Sequence, residues 1–85
     1  MWYVSERDLA ITEAVLDGES AAAAGVQFGV SGERARMITT DVCLKAAPEL
    51  WERGWGVQAA GLGVLRAKRA AFRKAMRAHL QVWSR

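Results

Sequence analysis

Cysteine, proline and histidine occur once each in this chain of 85 residues. A single Cys43 excludes an internal disulfide. With no Cys or His partner at ligand spacing, it also excludes a zinc site. His79 has no serine and aspartate grouped with it as a triad. Carboxylates do not pair in an apolar setting. The four glycines at 54, 56, 61 and 63 form GxG twice, but no strand precedes them and no GxGxxG is present, so a nucleotide loop is not expected. Together these absences point away from an enzyme, a cofactor, a metal and a small-molecule substrate. No apolar stretch reaches the ~20 residues of a membrane span. Met1 to Ala10 carries charges in place of a signal peptide's apolar run. A cytoplasmic protein is the expectation, and the wealth of Ala, Gly, Arg, Val and Trp suits a GC-rich bacterial or phage genome.

Acidic residues are missing altogether after Glu52. Residues 1 to 52 hold four basic and nine acidic side chains, a balance of −5; residues 53 to 85 hold eight basic ones and no acid, a balance of +8. Such asymmetry points to nucleic acid, membrane or acidic partners. One small domain is expected, and folding at this size hides only roughly 60% of the unfolded chain's surface. Four tryptophans stretch such a core or await a partner.

The organising stretch is residues 20 to 45, which reads as two helices joined by a tight turn. Ser20 is placed to cap the first helix and Ser31 the second. Gly29 follows Phe28 where a left-handed helix end is expected. Gly25, four residues earlier, allows the two helices to cross closely. Ala24, Phe28, Val30, Ala35 and Ile38 form the expected seam. On a helical wheel Ala35, Ile38, Thr39, Val42 and Ala46 share the inner face. Glu33, Arg36, Met37 and Thr40 share the outer one. A helix, a short turn with glycine and a second helix make a helix-turn-helix.

Within it, FGVSGERARMI resembles the promoter-reading helix-turn-helix of region 4, at the C-terminal end of bacterial sigma factors. That pattern has a small apolar residue after the turn, Ser or Thr, Arg-Glu-Arg, an aliphatic residue, Arg-Gln and Ile. Val30, Ser31, Glu33, Arg34, Arg36 and Ile38 match it. Gly32 stands where the family has Arg and Met37 where it has Gln, and Ala35 replaces a larger aliphatic residue. The resemblance covers about a third of the chain, and it gains weight from the two helices expected on either side of the turn. It implies a second helix lying in the major groove of double-stranded DNA, with Ser31, Gly32, Glu33, Arg34, Arg36, Met37 and Thr40 as the contacting set. Arg36 would donate to guanine and Glu33 would accept from cytosine. The backbone N–H of Ser31 could meet a phosphate, and Arg34 could meet a phosphate or form a salt bridge.

Around this stretch, Ser5 with Asp8 resembles a capping box opening a first helix that runs to about Asp17. Trp2 or Tyr3 is expected to pack over it. Pro48 starts a new turn, with a short helix over Glu49 to Arg53 anchored by Leu50 and Trp51, and a glycine-rich connection after it. Leu62, Leu65, Phe72, Met76, Leu80 and Trp83 then recur at intervals of three, four and seven, the stripe of one long helix. Arg66, Arg73, Lys74 and Arg77 point the other way as phosphate-contact candidates.

The expected fold is therefore all-α. A three-helix core spans 5–47, a short helix and connection 48–61, and a basic amphipathic C-terminal helix 62–85. That last helix could close the core by folding back onto Leu9 and Leu16. It could instead pair two copies through Leu65, Phe72, Met76, Leu80 and Trp83, the homodimer expected from so broad a stripe, or lie on an anionic membrane, the least favoured of the three. The leading expectation for function is a DNA-binding transcriptional regulator. The alternative is a protein-binding module or inhibitor of the same fold. It would engage transcription machinery, or another protein, through its tryptophans and acidic half.

Overall fold

The computed structural model describes residues 2–51 and 61–83, with the backbone alone for Trp83. Strand β1 spans Trp2–Ser5, followed by helices α1 (Glu6–Leu16), α2 (Ala21–Phe28) and α3 (Gly32–Ala46). A 3-10 turn covers Pro48–Leu50; α4 (Leu62–Ala67), α5 (Arg69–His79) and strand β2 (Leu80–Trp83) complete the described order. The protein is mostly helical.

Each of the first three helices begins where a serine oxygen can accept a free backbone N–H. Ser5 Oγ accepts from Asp8 at 3.1 Å, Ser20 Oγ from Ala23 at 3.0 Å and Ser31 Oγ from Arg34 at 3.0 Å. A cap of this kind is worth about 1 kcal/mol. Within α1, Thr12 is buried because its hydroxyl donates back to the Asp8 carbonyl at 2.8 Å, which removes the cost of hiding a polar group. Thr39 does the same in α3 through the Ala35 carbonyl, at 2.9 Å.

The core is one cluster. Ile11, Val15 and Leu16 of α1 meet Ala35, Ile38, Val42, Cys43 and Ala46 of α3, and Ala24 of α2. Helix α3 covers one side of α1, while α4 and β2 cover another. Leu65, Phe72 and Met76 close the cluster from the C-terminal side. Trp51 packs edge-to-face on Phe72, with ring centroids 6.4 Å apart and planes at 76°. Burying a side chain of this size is worth about 1.5–3 kcal/mol.

That closure corrects the expected dimer face. Leu65 and Phe72 are fully buried within a single chain and Met76 nearly so, and Leu80 is half-buried against the same core. The stripe is consumed by folding back. The side chain of Trp83 lies outside the described residues.

Three further expectations change. The C-terminal segment is not one helix: it breaks at Lys68 and turns to strand at Leu80. Chain ends expected to be helical or loose instead pair as a parallel two-stranded sheet, with Trp2, Tyr3, Val4 and Ser5 opposite Leu80, Gln81, Val82 and Trp83. Trp2 does not cover α1; its ring sits under Lys45 Nζ of α3, 5.7 Å from the ring centroid. The short helix after Pro48 is a 3-10 turn as far as Leu50; residues 52–60, with most of the glycine-rich connection, lie outside the described residues. Among the described residues no helix is long and apolar enough to cross a membrane.

Candidate nucleic-acid interface

The junction of α2 and α3 is set by two glycines. Gly29 ends α2 at φ 75°, a left-handed conformation that costs glycine nothing. Gly25 lets the following turn lie directly on α2: a Cβ there would be 2.5 Å from the Val30 carbonyl oxygen and 2.9 Å from the Ser31 carbonyl. Ala24, Ala35 and Ile38 are buried in this seam, and Phe28 and Val30 are half-buried along it. Helix α3 therefore starts from a rigid base with Ser31 exposed at its tip.

Along α3 the outward residues are Glu33, Arg34, Met37, Asp41 and Lys45, with Arg36 and Leu44 half-buried beside them. Met37, at 41% exposure, is the apolar centre of this face. Glu33 and Arg36 approach to 3.9 Å, one turn apart, and Asp41 and Lys45 to 3.1 Å. Exposed pairs of this kind contribute about 0–1 kcal/mol, so each can be exchanged for a partner's group. Arg34 has no ion pair within 4.0 Å among the described residues.

Two members of the expected contacting set face inward. Gly32 lies on α2: a Cβ there would be 3.1 Å from the Ala22 Cα, so a side chain would meet α2 before any base. Thr40 is buried, and its hydroxyl has no hydrogen-bond partner among the described residues. The start of α1 brings Asp8 to this side of α3, where Asp8, Thr40 and Asp41 line one cavity. The exposed face is thus rotated toward Asp41, which sequence reasoning missed. The spacing Arg34, Met37, Asp41 was the available signal. Val26 of α2, 85% exposed, also stands outward and was not singled out.

The basic C-terminal half behaves differently from the expectation. Arg66 is a structural clamp. Its Nε donates to the Val15 carbonyl at 2.8 Å and its terminal nitrogen to the Glu19 carbonyl at 2.6 Å. These close the C-terminal end of α1, where helix carbonyls otherwise lack partners. Arg73 pairs with Asp17 at the same end. Arg77 shares a cavity with Glu13. Cations of the second half thus lie over acids of the first, and part of the charge division is settled inside the chain. Lys74 remains exposed, as do Arg69 and Arg77.

Cys43 is fully enclosed, and burial pushes its thiol up to about 12. A thiol so raised is a packing group, not a nucleophile. Among the described residues no three His, Cys, Asp or Glu side chains gather to hold a metal ion. Compared with family models, curated proteins and solved structures, the chain matches none.

Proposed function

We propose that this chain is a DNA-binding transcriptional regulator without catalytic activity, whose α2, turn and α3 act as a helix-turn-helix. The observation that carries the reading is the start of α3. A Ser31-capped tip, locked onto α2 at Gly25, projects Glu33, Arg34 and Met37 into solvent. A helix presented in this way fits the major groove. Arg34, unpaired among the described residues, is available to guanine or phosphate. Arg36 can leave Glu33 for a base, and Met37 suits the thymine methyl group.

A second reading is favoured by the charge. Arg66 and Arg73 are engaged within the chain, and Glu33 and Asp41 balance two of the three cations on α3. Few cations are left for phosphates, which dominate DNA affinity. A protein-binding module would need none.

Selection of double-stranded sites from a random pool tests the first reading. A preferred sequence should emerge, and Arg34→Ala or Arg36→Ala should weaken its binding by about 1–3 kcal/mol for each base that the arginine reads. No enrichment, with weak binding even at low salt, would eliminate DNA and leave the protein partner.

A further inference from the structure

A two-stranded sheet leaves each strand one unpaired edge, and here the order is only β1 next to β2. Such an edge presents free N–H and C=O groups to any passing strand. A parallel pair this short is marginal without more strands or packing. Beside it lies the largest of the described grooves, about 470 Å³, touched by Tyr3, Val4 and Ser5 in succession and by α3 opposite. Alternate strand residues point to opposite faces. A groove touching three in a row therefore runs along the edge of β1, not over one face.

The groove also carries charge of both signs in equal number: Arg7 and Lys45 against Asp8 and Asp41. We infer that this edge docks a second copy of the chain, β1 against β1, antiparallel about a two-fold axis. A two-fold interface must be complementary to itself. Two cations and two anions around one groove meet that condition, whereas a strongly acidic or basic partner would meet like charge. Tyr3 is 69% exposed and Trp2 51% exposed at this rim, and aromatic residues of this kind form the centre of protein interfaces. The result is a four-stranded sheet across the dimer. It uses a surface separate from the C-terminal stripe and leaves Glu33 and Arg34, at the far end of α3, uncovered. It does not depend on the DNA reading.

Sedimentation equilibrium of the whole chain, from low to high micromolar concentration, provides the test. The wild type should dimerise. Tyr3→Lys places like charges near the two-fold axis and should weaken association by about tenfold or more, with the helical circular dichroism retained. Gln81→Lys, on the exposed side of β2, should leave association unchanged. Amide exchange gives a second measure free of mutation: protection of the Tyr3 and Val4 amides should rise with protein concentration. A wild type that stays monomeric throughout overturns the inference. So does a dimer that ignores Tyr3→Lys, or one whose β1 protection is independent of concentration.

Discussion

Replacing Gly25 by alanine should destabilise the protein even though alanine is the better helix former. Propensity alone favours alanine by about 1 kcal/mol inside a helix. The added Cβ would sit 2.5 Å from the Val30 carbonyl oxygen and 2.9 Å from the carbon and oxygen of the Ser31 carbonyl. All three are backbone atoms, and none can rotate aside as a side-chain end can. The turn is further held by the Val30 N–H donating to the Gly25 carbonyl at 2.9 Å. Overpacking costs about 1–3 kcal/mol, and a backbone clash falls toward the upper end. The expected net loss is about 1–2 kcal/mol, a large share of the roughly 5–10 kcal/mol available to a domain of this size. Gly63 is the matched control, because a Cβ there meets nothing within 4 Å. Gly63→Ala, in α4, should gain about 0.5–1 kcal/mol. Urea titration followed by circular dichroism measures both changes. A Gly25→Ala protein as stable as the wild type would refute the close crossing of α2 and the turn. Opposite signs at the two glycines would support it.

Phe72→Glu should abolish folding, since it buries a carboxylate among apolar side chains at a cost of several kcal/mol; a helical, cooperatively melting variant would place Phe72 outside the core. Arg66→Ala should cost about 1.5–3 kcal/mol through the two charge-assisted bonds to Val15 and Glu19, against under ~0.5 kcal/mol for Lys74→Ala, both read from thermal melts. Thr40→Val should be neutral or stabilise by up to about 1 kcal/mol, because it removes a buried hydroxyl without a partner among the described residues; a marked drop in stability would reveal a bond to that oxygen. Cys43 should resist iodoacetamide until the chain unfolds. Its thiol ionises more readily in the unfolded chain, at 9.0 against about 12 in the fold. Stability should therefore be unaffected below pH 9 and fall as pH rises from there toward 12, a slope that Cys43→Ala should reduce in alkaline denaturation curves.

Local features of this protein were legible from residue order alone. Ser5, Ser20 and Ser31 cap helices through N–H groups three residues away, and Gly29 takes a left-handed end because only its own backbone is involved. The inner face of α3 was readable for the same reason: Ala35, Ile38, Thr39, Val42 and Ala46 are all buried, as the helical period requires. What depends on distant segments was not readable. Nothing near Arg66 announces that it will clamp Val15, 51 residues earlier. Thr40 and Met37 look alike on a wheel, and only the arrival of Asp8 beside α3 buries one and leaves the other exposed. The stripe from Leu65 to Leu80 marks an apolar face without saying whether its cover is the same chain or another copy. Its register on the core is chosen by the packing of α1, α3 and Trp51 around Phe72. The pairing of the two chain ends is the extreme case. Four residues at each end are too short to show a strand period, and β1 and β2 become a sheet only because the helices bring them together. Caps and turns are closed by neighbours in sequence, whereas burial and strand pairing are closed by neighbours in space.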